Sequence, residues 1–490
     1  MNSLVDKDLN SIQEVRDLLK KATEAQKTLA KMSQEQIDSI CKAIAKAGYD
    51  NRALLAKMAV EETGFGIVED KMIKNEFASK YVLDAMKDMR TVGILMDNKE
   101  AKYMEVAVPV GVIAGLIPST NPTSTVIYKA LISIKAGNSI VFSPHPAAKK
   151  CILKTVELIK AAAVDAGCPA DAIGAITIPT LEGTNELMTH SLTKLILATG
   201  GSAMVKAAYS SGTPAIGVGP GNGPAYIERT ADVKKAINDI IASKTFDNGT
   251  VCASEQSIIA EVSNKEKVIN ELKAQGAYFL NEEEASQLSK FVLRANGTMN
   301  PQIVGKSVDT IAQLSGLTIP KGTKVLVAPE KNVGMNVPFS REKLGPILAF
   351  YTVNDWKEAC HLCYEILTNE GAGHTMTIHS QDEEVIRQFA LEKPVSRLLV
   401  NTPGTLGGIG ASTNLFPALT LGCGAVGGSS TSDNISPQNL FNVRRIVWGV
   451  KDMEDIKPKQ TQSSAMTSTD TMNEDVLVDL LVDKILEKLK

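Results

Sequence analysis

The stretch "GVIAGLIPSTNPTSTVIYKALISIKAGNSIVFSP", Gly111–Pro144, decides the fold class. It opens with "GVIAGLIP", an unbroken apolar run of strand length, and closes with a second strand-like run, "SIVFSP", apolar at its centre. Between them "TSTVIYKALISIKAG" carries a helical pattern. Strands that are apolar throughout are buried on both faces, as in a parallel sheet covered by helices. The alternation continues outward through helix "AAKKCILKTVELIKAAAVDAG", strand "AIGAITIP", helix "GTNELMTH", strand "KLILATGG" and helix "SAMVKAAYSS". This pattern predicts a doubly wound α/β unit, with ligands at the carboxyl ends of its strands.

Amphipathic helices are predicted over residues 8 to 60, followed by the extended stretch "AKYMEVAVPVGVIAGLIP". A second α/β segment is signalled by "ADVKKAINDIIASKTFDNG", "TKVLVAPE", "KLGPILAFYTV" and "SRLLVNTPG". It ends in the Gly-rich "GTLGGIGASTNLFPALTLGCGAVGG". The far end differs. "KPKQTQSSAMTSTDTMN", residues 457–473, has no Leu, Ile, Val or aromatic residue to offset ordering entropy, so it is expected to be a flexible linker. In "EDVLVDLLVDKILEKLK", residues 474–490, Asn473 is the expected N-cap, and Val478, Leu481, Val482, Ile485 and Leu489 form an apolar stripe. So short a helix is marginal alone; its stripe calls for a surface to dock on, in its own protein, an identical subunit or another partner.

Composition narrows the function. The 490 residues carry 52 Lys and Arg against 55 Asp and Glu, a net charge of −3, and 4% aromatics. That balance argues against a nucleic-acid binder, which needs a basic stripe or stacking platform. No apolar run reaches transmembrane length, and no secretory h-region opens the chain. Seven cysteines without framework spacing predict a reducing, cytoplasmic setting. The single C-x-x-C, Cys360 and Cys363, lies on the stripe Trp356, Cys360, Cys363, Leu367 and reads as helix core; no second pair completes a metal site.

Four places offer chemistry. In "FDNGTVCASEQ" Cys252 follows a helix end directly, either as a nucleophile whose pKa backbone N–H groups can lower or whose oxyanion they can hold, or as the inert small residue that a lone loop cysteine more often is. In "GLIPSTNPTS" Asn121 sits between two prolines, either as an amide donor toward developing negative charge or as an ordinary N-cap. "ILATGGSAMVKAA" places Gly200 and Gly201 between strand and helix, a loop that lets a dinucleotide approach the backbone. "GVGPGNGPAYI" is dense in Gly and Pro, consistent with close approach to a ligand or another loop.

In combination and in this order, these motifs and "EKLGPIL" resemble the aldehyde dehydrogenase superfamily. "PSTNPTSTVIYKALISIKAGNSIVFSPHP", "GVGPGNGPAYI", "DNGTVCASEQ", "GAGHT" and "LGCGAVGG" resemble its CoA-acylating branch, over roughly residues 10 to 450. The resemblance implies a nucleotide-binding domain over 1–225, a catalytic domain over 226–425, and a return over 426–456. It also implies an oligomerising β-extension near 101–110 and 435–450, giving a homodimer or homotetramer.

It further implies that Cys252 attacks a short-chain aldehyde, with Asn121 and the Cys252 N–H holding the oxyanion. NAD (or NADP) would lie along Pro118, Ser119, Ser143, His145, Thr199, Gly200, Gly201, Val218 and Gly219, with Glu342 reaching the nicotinamide ribose. Hydrolysing relatives place a Glu in the loop matching "GVGPGNGP" and usually a Lys matching Ser143. Here Val218 or Gly219 stands at the first position, which favours coenzyme A over water as acyl acceptor. A hydrolysing dehydrogenase giving free acid is the alternative within this chemistry; a non-catalytic assembly protein is the alternative outside it. His374, in "GAGHT", receives no derived role. The linker and terminal helix resemble encapsulation peptides, implying contact with a shell protein of a bacterial microcompartment through residues 474–490.

Overall fold

A computed structural model of the chain describes residues 6–457 and 474–489. The described parts of Met1–Asp97 and Met104–Ile446 form one compact unit, and those of Asn98–Tyr103 and Val447–Lys490 a second. The chain opens with helices Lys7–Leu29, Gln34–Asp50 and Arg52–Thr63. Asp6 caps the first by accepting from Asp8 N and Leu9 N, and Ser33 and Gln36 form a capping box on the second. Their apolar stripes are buried, Val15, Leu19 and Leu29 on the first and Ile37, Ile40 and Ile44 on the second.

Strands β1 (Gly93–Asn98) and β2 (Tyr103–Pro109) lead into β3 (Val112–Ile117), β4 (Ser139–Pro144), β5 (Ile173–Ala175), β6 (Thr193–Thr199) and β7 (Ala215–Val218). The last five form one parallel sheet in the order β5-β4-β3-β6-β7. Every residue of β3 and β4 is buried, which their unalternating apolar sequences require. Helix Pro122–Lys135 is buried at every position. Its Lys129 donates to Leu116 O at 2.8 Å and Leu197 O at 2.7 Å, joining the ends of β3 and β6. The segment "AIGAITIP" is strand only over Ile173–Ala175, because the Glu14 carboxylate takes the N–H groups of Thr177 and Ile178 at 2.8 and 3.0 Å.

Strands β8 (Gly223–Ile227), β9 (Glu255–Glu261), β10 (Ala277–Phe279), β11 (Val325–Pro329), β12 (Ile347–Val353), β13 (Gly373–His379) and β14 (Val395–Val400) build a second sheet. Its order is β10-β11-β12-β9-β8-β13-β14, parallel throughout. Helix Trp356–Asn369 turns Cys360, Cys363 and Leu367 into the core. Strand β15 (Phe441–Val447) joins β1 and β2 in a three-stranded sheet with β1 and β15 as edges.

Helix Glu474–Lys488 is present. Val476, Leu477 and Leu480 lie off the apolar stripe read from sequence, so apolar side chains surround most of this helix. Residues 458–473, including most of the expected linker and the Asn473 cap, lie outside the described residues.

Candidate active site

β3 and β6 are neighbours from which the chain winds in opposite directions, so a crevice opens beyond their carboxyl ends. Pro118 and Ser119 follow β3, His145 follows β4, Thr199 ends β6 with Gly200 and Gly201 behind it, and Val218 ends β7 with Gly219 next. All of these line one cleft, together with Asn121, Cys252 and Glu342. Ser143 lines an adjoining pocket that shares Pro118, His145 and Thr199 to Gly201; its hydroxyl lies 2.8 Å from Thr184 Oγ1. The structure thus gathers residues that the sequence separates by more than two hundred positions.

Gly201 is the N-cap of helix Ser202–Ser210 and has no side chain to satisfy its first N–H groups. A Cβ at Gly201 would meet nothing within 4 Å. An uncapped helix N-terminus open to a cleft fits the pyrophosphate of a dinucleotide.

Cys252 sits just beyond a tightly held turn. After helix Val233–Thr245, Asp247 and Asn248 take the left-handed φ values 49° and 53°, and Gly249 follows at 74°. Strain of this kind persists only where surroundings over-determine the conformation. The Asp247 carboxylate provides that: Oδ1 accepts from Ile67 N at 2.8 Å, and Oδ2 accepts from Lys71 Nζ at 2.9 Å, Lys74 Nζ at 2.5 Å and Thr250 Oγ1 at 2.6 Å. Glycine is required at Gly66, where a Cβ would lie 1.9 Å from Asp247 Oδ1. Burial works to raise the Asp247 pKa, but Lys74 and Lys71 outweigh it and hold the carboxylate below its usual range.

Asn121 occupies the N-cap of helix Pro122–Lys135, yet its side chain makes no capping bond. Its Oδ1 instead accepts from Lys74 Nζ at 2.7 Å, while Nδ2 lies 3.2 Å from Thr250 O and 3.4 Å from Thr120 Oγ1. The ordinary N-cap reading fails for this side chain. A lysine donor facing one end of the amide fixes which end is oxygen.

The Cys252 thiol is pushed up to about 12, by burial first and by the Glu342 carboxylate next. The expectation of a thiol lowered by backbone N–H groups is therefore corrected: the backbone helps slightly, and desolvation wins. The "GVGPGNGP" loop closes on the cysteine loop, since a Cβ at Gly221 would lie 1.8 Å from Cys252 O. Gly221 N also donates to Glu342 Oε1 at 2.8 Å. Burial, with Glu370 adding to it, raises Glu342 to about 8 against that hydrogen bond and the nearby Lys244 and Lys343.

His374 is fully buried and does not line the cleft; its Nδ1 lies 3.0 Å from Thr375 Oγ1. Burial and then Arg397 lower it to about 3, so it is neutral at physiological pH. Sequence reasoning missed Lys71, Lys74, Asp247 and Thr250. "VEDKMIKNE" resembles any charged surface helix, and only the i, i+3 spacing of its two lysines hinted at a common face. It also missed the apolar wall of Leu344, Ile409, Leu419 and Leu421.

Comparison with known proteins agrees with this geometry. Residues 8–414 match the model of the aldehyde dehydrogenase family. The bifunctional aldehyde-alcohol dehydrogenase of Escherichia coli (strain K12) is 44% identical over 450 residues, covering 91% of this chain and 50% of that protein. The chain thus spans about half the length of that curated relative. The crystal structure of a probable aldehyde dehydrogenase from Listeria monocytogenes is 68% identical, with TM-score 0.92 over 92% of this chain and all of its own. Two propionaldehyde dehydrogenases each give TM-score 0.80 over 89% of this chain and 97% of theirs. One, 30% identical, is from the Clostridium phytofermentans fucose utilisation bacterial microcompartment; the other, 29% identical, is from Rhodopseudomonas palustris and carries bound CoA and an acylated cysteine. The chain belongs to the aldehyde dehydrogenase family.

Proposed function

We propose that the chain oxidises a short, uncharged aldehyde with NAD and passes the acyl group to coenzyme A through Cys252. One observation carries the reading. The cleft holds a cysteine and the Asn121 amide, whose side chain does not cap its helix, while the one carboxylate lining it among the described residues, Glu342, is engaged by Gly221 N. No acid lies between Gly212 and Ile227 to activate a deacylating water, which leaves a thiol as the favoured acceptor. The relative with bound CoA and an acylated cysteine supports the same outcome.

Cys252 releases its proton to water and the resulting thiolate sulfur bonds to the aldehyde carbon, opening the C=O π bond to give the anion of a thiohemiacetal. Asn121 Nδ2 and the Cys252 N–H hold the oxygen as it becomes negative. The nicotinamide, when bound, supplies the hydride acceptor. Loss of hydride from carbon leaves a thioester on Cys252, and the CoA thiolate attacks that carbonyl while the Cys252 thiolate leaves. Thr199, Gly200 and Gly201 would hold the dinucleotide with Pro118, Ser119, His145, Val218 and Gly219, Glu342 its nicotinamide ribose, and Ser143 would lie by the adenosine. Among the described residues no Lys or Arg lines the cleft, and its wall is apolar, which suits acetaldehyde or propionaldehyde over a charged aldehyde.

In this reading the five-stranded sheet is the core of a nucleotide-binding domain and the seven-stranded sheet that of a catalytic domain ending near 425; because β8 starts at Gly223, the boundary expected at 225/226 moves back to just before that strand. The β1-β2-β15 sheet, with its open edges, is the oligomerising extension of a homodimer or homotetramer. The exposed helix Glu474–Lys488 docks on a shell protein and places the enzyme in a bacterial microcompartment; the microcompartment relative supports this. The test is NADH formation from propionaldehyde with and without CoA. Cys252→Ala is expected to abolish it, and mass spectrometry of quenched wild type to find a propionyl adduct on Cys252. An adduct elsewhere, or equal turnover without CoA, overturns the reading.

A further inference from the structure

Lys71 and Lys74 face one way from helix Val68–Glu76 and are 2% and 3% exposed. Two buried ammonium groups beside one carboxylate are costly to keep unless each proton has a partner. The charged groups around Lys74 are Asp247 from the cysteine turn and Lys71 and Asp70 from its own helix. The loop leading into helix Pro122–Lys135 gives the pair neutral acceptors: Lys71 Nζ donates to Thr120 O at 2.8 Å, and Lys74 Nζ to Asn121 Oδ1 at 2.7 Å.

The Lys74 contacts define its protonation by geometry. Its nitrogen faces three acceptors: Asp247 Oδ2, Asn121 Oδ1 at 2.7 Å and Thr250 Oγ1 at 2.9 Å. Thr250 spends its own hydroxyl proton on Asp247 Oδ2, so its oxygen can only accept here. Three acceptors need three protons, which the ammonium has and the amine lacks. A cation is therefore fixed against the carbonyl end of the Asn121 amide. It excludes the flipped amide, which would turn an oxygen toward any developing oxyanion, and it polarises the amide so that Nδ2 becomes a stronger donor.

We propose that Lys74 is the positioning residue for Asn121, setting the direction and strength of its donor toward the oxyanion formed at Cys252. This rests on the acylation chemistry proposed above. Lys74 lines no part of the cleft and acts through Asn121. The same ion cluster holds the turn before the cysteine, so one side chain keeps the amide and the thiol loop in register.

The experiment measures the NADH burst from propionaldehyde under single-turnover conditions, with NAD affinity measured separately, in wild type, Lys74→Met, Asn121→Ala and the double variant. Lys74→Met is expected to slow the burst by about tenfold or more while leaving NAD affinity within about twofold. Added to Asn121→Ala, it is expected to change the burst by less than about twofold, because the two residues act as one unit. Lys74→Arg, which keeps charge and donors, is expected to recover most of the rate. A burst near wild type in Lys74→Met, or an equal loss on both backgrounds, overturns the inference. If Lys74→Met does not fold, Lys74→Met with Asp247→Asn, which removes one charge of each sign from the cluster, carries the same reading when compared with Asp247→Asn alone. A wild type that forms no NADH brings down the acylation reading and this inference with it; an active wild type with a misbehaving cycle brings down the inference alone.

Discussion

The turn Phe246–Cys252 and the helix Glu474–Lys488 treat water in opposite ways. In the turn, Asp247 is buried with its carboxylate bonded to a backbone N–H, two lysines and a threonine. In the helix, Val476, Leu477, Val478, Leu480, Leu481, Val482, Ile485 and Leu486 are each 47% to 58% exposed. The turn finds inside the fold everything its polar groups need. The helix leaves its apolar groups open to water. A segment of the first kind should be intolerant of change and essential to chemistry; one of the second should be dispensable to chemistry and dependent on a partner.

The largest effect after loss of the cysteine itself is expected at Asn121. Asn121→Ala removes an oxyanion donor, so kcat should fall by about 10²–10³ with NAD affinity nearly unchanged. A fall of less than about tenfold would mean that the Cys252 N–H alone carries the oxyanion.

The next effect concerns pH. With the Cys252 thiol pushed up to about 12, the thiolate is a small fraction at neutral pH and grows with every unit. Alkylation of Cys252 by iodoacetamide in the free enzyme should therefore rise about tenfold per unit from pH 7 to 9 without levelling. A plateau in that range would show a thiol activated before substrate binds, and would restore the expectation drawn from its place after a helix end.

A smaller effect is expected where the Gly-rich loop meets the cysteine loop. Gly221→Ala puts a Cβ 1.8 Å from Cys252 O, so one backbone must move. The expected cost is about 1–3 kcal/mol in denaturant unfolding. Because Gly221 N also bonds Glu342, kcat should fall with stability. Unchanged stability would mean that the two loops have room to separate.

The turn also shows what a sequence makes legible. The parallel sheets were readable because β3 and the centre of β4 are apolar without alternation, as burial on both faces favours. Cys252, Asn121 and the Gly200–Gly201 loop were readable because each interrupts such a pattern with a residue type that chemistry uses. Lys71 and Lys74 were not, since lysine is exposed by default, and the partner that buries them lies more than 170 positions away. The thiol pKa was misjudged for a related reason: helix ends are local, whereas desolvation depends on everything folded around the site. In the terminal helix the stripe was legible, but Leu477 and Leu480 beside it were passed over, and they make the helix apolar around most of its girth.

The smallest expected effect tests the other half of the comparison. Deleting residues 457–490 should leave kcat and the CoA requirement within about twofold, because the described residues that line the cleft lie in the unit formed by Met1–Asp97 and Met104–Ile446. Loading into microcompartment shells should be lost. Leu480→Asp with Leu481→Asp in the intact chain separates length from chemistry: both leucines are exposed, and each change puts charge on a surface that needs an apolar partner. Normal loading of the double variant would show that the apolar girth of the helix is not what a shell protein recognises. A large fall in kcat on deletion would show instead that the tail docks on the catalytic unit, and the two regions would no longer be independent.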